Sequence, residues 1–229
     1  MIVVVGSPIA RSDGPAIVAG GLAAEVARVA AASGAAVQIV GRVGEDAAGD
    51  QVLLALAASE IAHVAVLREP GRPTPTADQL DGGSAGPDGS VLGEALFDAD
   101  EVVADGRSSA EAEAPAGLSV DAADLELALR YVPDYRVLVV AADLDPAALD
   151  AVVAAAGWSG AHLVVLVRDG STTTALPDSA TVLARPEADP DGTFAAVVAA
   201  YAVALDQGEA PAAAFATAQR AGGWAAVAD

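Results

Sequence analysis

Short β-branched runs alternate with alanine-rich helical stretches along almost the whole chain, and this alternation constrains the fold most. Ile2–Val5, Val37–Val40, His63–Leu67, Arg136–Ala141, His162–Val167 and Thr181–Leu183 read as strands. Helices are expected from Gly21 to about Ser33, from Asp46 to Ser59, and within LSVDAADLELALRYV, where Ser119 or Asp121 can cap the start. Three more are expected at Pro146–Ala156, Thr193–Leu205 and Ala210–Val227. Strands that alternate with helices call for βαβ crossovers. The expected fold class is therefore α/β, a mostly parallel sheet with helices on both faces. In such a sheet, ligands sit where the strands' C-terminal ends lead into helices.

Residues 68–117 break the pattern. The stretch REPGRPTPTADQLDGGSAGPDGS is rich in Pro, Gly and Asp and reads as a low-complexity excursion or lid remnant within one domain spanning 1–229. Residues 7–19, SPIARSDGPAIVA, read as a polar loop. GGSAG at Gly82–Gly86 matches the nucleophile-elbow pattern but has neither the strand before it nor the helix after it, so it is rejected as a site.

Composition removes whole classes of chemistry. All eleven basic residues are arginine, and Lys, Asn and Cys are absent. A P-loop lysine, a Schiff base, a thiol nucleophile and a Cys-ligated zinc are thereby excluded. His63 and His162 each open a strand and read as edge or core positions rather than ligands. The formal net charge of −21 repels nucleic acid and anionic membrane. No stretch offers the about 20 consecutive apolar residues a membrane span takes, and MIVVVG has no basic leader region. A soluble, cytoplasmic protein is expected. The arginine-only base set fits a GC-rich genome, with salt adaptation as a companion reading. Aromatics are only 3% of residues, so the core is built from Ala, Val and Leu.

The densest motif is AGGLAAEVARVAAASGAAVQIVGRVGEDAAGDQVLLAL, Ala19–Leu56. A Gly-Gly pair opens an alanine-rich helix, and after the next strand comes a Gly-x-Val-Gly-x-Asp-x-x-Gly segment. This combination resembles the ribokinase (PfkB-type) sugar-kinase family, with Gly20, Gly21, Ala27, Gly41, Val43, Gly44, Asp46 and Gly49 on the matching positions. The resemblance implies a ribokinase-like fold and a sugar or nucleoside site formed by Gly20, Gly21, Glu25, Gly41 and Asp46 at the strand ends. Glu25 stands where the family carries a sugar-contacting Asn. TVLARPEAD is similar to the turn that helps place Mg²⁺, with Glu187 as the matching acid and Ala184 in place of its Asn.

The family's second signature, D-T-x-G-A-G-D-x-F, aligns with ADPDGTF through Phe194. Gly192 then stands where the signature's final Asp should be and Asp191 where its Gly should be; a one-residue shift makes Asp191 the general base, with Gly192 and Thr193 as the nucleotide- or anion-binding residues. Pro190, however, removes a cradle N–H, and acids crowd a site meant for a phosphate dianion. The V-T-x-G-x-x-G nucleotide-binding stretch is missing, since the two turns are nearly fused. ATP–Mg²⁺ is accordingly expected to bind only at millimolar level or worse.

The implied reading is a small-ligand binder with a degenerate phosphotransfer site, Asp191 capping the following helix. One alternative is an active ATP- and Mg²⁺-dependent sugar or nucleoside kinase with Asp191 as base; a binder would need neither cofactor. A second is a structural or interaction module, with a homodimer through residues 68–117.

Overall fold

The computed structural model describes residues 1–77, 118–132, 134–168, 176–186, 189 and 191–221. Six strands pair in one all-parallel sheet: β1 (Ile2–Val5), β4 (Val37–Gly44), β5 (Ala62–Glu69), β6 (Val137–Val140), β7 (His162–Arg168) and β8 (Thr181–Arg185). Their order is β5-β4-β1-β6-β7-β8. The chain runs outward from β1 through β4 to β5, then returns to β6 on β1's other side. The order thus reverses beside β1, which places a crevice at the C-terminal ends of β1 and β6.

A parallel sheet buried on both faces reads as continuous apolar runs, and period-two alternation sorts their side chains between two cores. Ile2, Val4, Val137 and Val139 enter one core with α1 (Leu22–Ala32), α2 (Ala47–Ala58), α5 (Thr193–Asp206) and α6 (Pro211–Ala221). Val3, Val5, Leu138 and Val140 enter the other with α3 (Ala122–Tyr131) and α4 (Pro146–Ser159). Alanine lets α1 and α5 pack closely, while Tyr201 is a rare large anchor, edge-on to Phe215 at 6.0 Å between ring centroids.

Local signals place the helix starts. Asp46, Asp121 and Asp145 each accept a backbone N–H three residues on, from Gly49, Asp124 and Ala148. Pro146 occupies the first helical position of α4, where a missing N–H costs nothing.

Three expectations need correction. Residues 7–19 are not a loop: β2 (Ile9–Asp13) and β3 (Ala16–Gly20) form an antiparallel hairpin closed by Gly14 at φ 59. Most of its residues are exposed or half-buried, so no apolar alternation marks it. The hairpin lies against α2, and Thr76 adds a parallel bridge at Ala10. β4 runs on through Gly44, because pairing to β5 continues through Gly41↔Val66 and Gly44↔Glu69. Gly41 and Gly44 therefore lie within the strand, beyond its expected end at Val40. Of the 68–117 excursion, β5 takes the start and residues 70–77 fold back toward α2; 78–117, including GGSAG, lie outside the described residues, as does the end of the expected Ala210–Val227 helix.

β5 is an edge strand, and its register slips between Ala62 and Ala65, leaving Val64 87% exposed. A bulge of this kind blunts an open edge against further pairing. Among the described residues, no helix is long and apolar enough to cross a membrane.

Candidate functional site

β3 delivers the chain directly to α1 through Gly20 and Gly21. A Cβ on Gly20 would stand 2.9 Å from the Arg11 Cβ, and one on Gly21, at φ 85, would meet Ile9 at 3.4 Å, so the pair lets β2 approach the chain closely just before α1 begins. One turn into that helix, Glu25 is 16% exposed and accepts a 2.8 Å bond from Arg11 Nη1. Its second oxygen, Oε2, lies 3.8 Å from where a Cβ on Gly192 would be. Gly192 starts α5 at φ 66, a left-handed conformation that favours glycine. Gly20, Gly21, Glu25, Gly192 and Thr193 are thus brought together where the N-termini of α1 and α5 converge.

The first turn of α5 answers whether its amides are free. Phe194 N donates to Asp189 Oδ1 at 3.0 Å, and Ala195 N donates to Oδ2 at 2.9 Å. The cap is therefore Asp189, not Asp191, which the aligned sequence favours. Asp191 is exposed, and Gly192 turns the backbone so that the carboxylate two residues further upstream reaches the amides. Glu187 lies outside the described residues, and those that are described contain no cluster of three metal-ligating side chains.

Gly41 and Asp46 are held a little apart. A Cβ on Gly41 would be 2.6 Å from Gly6 O, so its bareness lets the loop after β1 cross the end of β4. There Arg42 N donates to Ser7 Oγ at 3.0 Å. Asp46 is spent on structure: Oδ1 accepts from Gly49 N at 2.8 Å and Thr74 Oγ1 at 2.6 Å, and Oδ2 accepts from Thr74 N at 2.9 Å. Burial pushes this carboxyl up, but those donors and the Arg68 charge outweigh it and hold it below the ordinary carboxylate range.

Residues that sequence reasoning passed over complete this end of the sheet. Arg42, on β4, joins Glu69 at 2.6 Å and Asp124 through Nε at 2.8 Å, with Asp121 3.2 Å away. Burial pulls its guanidinium down, yet the Asp124 bond and the surrounding carboxylates leave it above its usual value. Asp143, beyond β6, pairs with Arg168 and Arg185. These arginines neutralise acids of the chain itself, so the anion-attracting power of this face is largely used up. Among the described residues near the α1–α5 crevice, only Arg11 is paired with Glu25, while Asp189 and Asp191 add negative charge. A sequence signal for Asp189 existed in the acid-rich run before Phe194, but not the choice among its acids.

Residues 5–80 match the sequence profile of the pfkB family carbohydrate kinase. Among solved structures, Arabidopsis thaliana ribokinase complexed with ribose and ATP is 17% identical, with 96% of this chain and 90% of that one covered at a TM-score of 0.58. A carbohydrate kinase from Agrobacterium tumefaciens is 14% identical, with 96% and 89% covered, also at 0.58. Likeness at such identity is one of fold, and it establishes the ribokinase-like architecture. No curated protein matches the chain significantly.

Proposed function

We propose, for a chain that is a member of the ribokinase/PfkB-type carbohydrate-kinase family, that it binds a sugar or nucleoside between the N-termini of α1 and α5 without efficient phosphoryl transfer. Support for binding comes from the bare Gly20–Gly21 backbone and from Glu25, whose Oε2 can accept hydroxyl protons beside Gly192. The single observation that carries the second half is the Asp189 carboxylate on the Phe194 and Ala195 amides. Those amides are what a transferred phosphoryl would need, because catalysis of this type is mostly positioning and electrostatic stabilisation.

Admitting a phosphoryl requires Asp189 to leave, and it then meets Glu25. The Glu25 carboxylate beside Gly192 carries the same sign of charge and opposes an incoming phosphate. The described residues therefore do not fit the terminal phosphate of ATP–Mg²⁺ at this helix, and no step is routed through it. The competing reading, an active kinase with Asp191 as base, draws on the exposure of Asp191 at the mouth of the crevice.

A panel of sugars and nucleosides, screened by thermal shift and by ADP release with ATP and Mg²⁺, tests both halves. The expected result is a rise in Tm with at least one polyol or nucleoside and no ligand-dependent ADP release. Ligand-dependent phosphorylation that Asp191→Asn abolishes would overturn the degenerate-site half. Failure of every panel member to raise the Tm would overturn the binding half.

A further inference from the structure

Helices α1 and α2 do not close on each other. Strand β3 lies across the gap, and a cleft of about 290 Å³ opens between the three elements. Its walls are Val18, Ala24, Ala55 and Leu56, with Ser59 at the end of α2. The alanines matter here, since larger side chains at those positions would fill the space. The volume lies near the lower bound of small-molecule sites, which run from about 300 Å³ upward.

One charged side chain lines this apolar cleft, Arg28, which sits one turn beyond Ala24 on the same helix face. Arg28 has no ion-pair or hydrogen-bond partner among the described residues. Glu25, the acid one turn before it, holds Arg11 instead. Among the described arginines, Arg28 shares the lack of a partner with Arg130 alone, and Arg130 does not line the cleft. Arg11, Arg42, Arg68, Arg168 and Arg185 all have carboxylate partners. An apolar trough with one unpaired guanidinium matches a ligand with an apolar body and one anionic head.

We propose that the cleft between β3, α1 and α2 is a second binding site, one that takes a small amphipathic carboxylate whose head pairs with Arg28 and whose apolar body lies against Ala24, Ala55 and Leu56. This site is separate from the α1–α5 crevice and does not depend on the reading of that crevice. The net charge of −21 disfavours anions over the chain as a whole, so selection of an anion over a cation is a sharp signature of this site.

The experiment compares octanoate, octanol and octylammonium by calorimetry below their aggregation concentrations. Octanoate is expected to bind at least about tenfold more tightly than octanol, with octylammonium weakest. Arg28→Gln should bring octanoate down to the level of octanol, and Ala55→Leu, which fills the trough, should remove both. Arg28 is exposed, so its replacement leaves the fold and any sugar-induced rise in Tm intact. Absence of octanoate binding, equal or tighter binding of octylammonium, insensitivity to Arg28→Gln, or survival in a folded Ala55→Leu variant would each overturn the proposal.

Discussion

Replacing Asp46 with Ala should be among the most destabilising single changes at this end of the sheet. The carboxylate accepts three bonds, from Gly49 N and from both the amide and the hydroxyl of Thr74. Thr74 is 2% exposed, and its hydroxyl oxygen accepts in turn from Gly44 N at 2.9 Å. Loss of the cap on α2 costs about 1 kcal/mol, and stranding the buried Thr74 amide costs about 1–3 kcal/mol more. The sum, about 2–4 kcal/mol, is a large share of a typical domain's stability. Urea unfolding should show the midpoint falling with the slope unchanged. In a double-mutant cycle with Thr74→Val the two losses should fall short of adding, because they remove the same bonds.

The pH dependence gives an independent check on the same reasoning. The folded-state carboxyl of Asp46 is depressed, so its contribution is fully present above the unfolded carboxylate pKa and is lost as pH falls through the folded value. The gap between wild type and Asp46→Ala should therefore be largest near neutrality and shrink on acidification. A loss below about 1 kcal/mol at neutral pH, or a gap that does not depend on pH, would refute the account of Asp46 as the knot of this loop.

At the start of α5, Asp189→Ala should cost about 0.5–2 kcal/mol in denaturant unfolding, while Asp191→Ala stays within about 0.5 kcal/mol of wild type. The reverse order would restore Asp191 as the cap. Gly44→Ala should destabilise by about 1–3 kcal/mol, since its Cβ would fall 2.4 Å from both Arg72 O and Thr74 N. Thermal unfolding of that variant measures the effect, and a neutral result would show that the strand β4–residue 72–76 contact is not tight in solution.

Much of the architecture is written locally. Ile2–Val5 and His162–Val167 are recognisable as strands because a sheet buried on both faces needs apolar residues at every position, not every second one. Asp46, Asp121 and Asp145 mark their helices because a cap reaches only three residues along the chain. The spacing of Gly20, Gly21, Gly41, Gly44 and Asp46 carries the family likeness, because close backbone approaches tolerate only glycine at fixed places.

What the tertiary structure alone decided lies in contacts between distant segments. The β2–β3 hairpin left no periodic trace, since it is stabilised by resting on α2 and by the Thr76 bridge rather than by an apolar face of its own. Asp46 looked like a ligand contact until Thr74, from a loop beyond β5, arrived to take its oxygens. Glu25 and Gly192 meet only because α1 packs on α5, and Asp189 displaces Asp191 as the cap only because Gly192 takes a left-handed turn. Short-range propensity determines where helices and strands form, but the partner of a buried carboxylate depends on which segments the sheet order brings together.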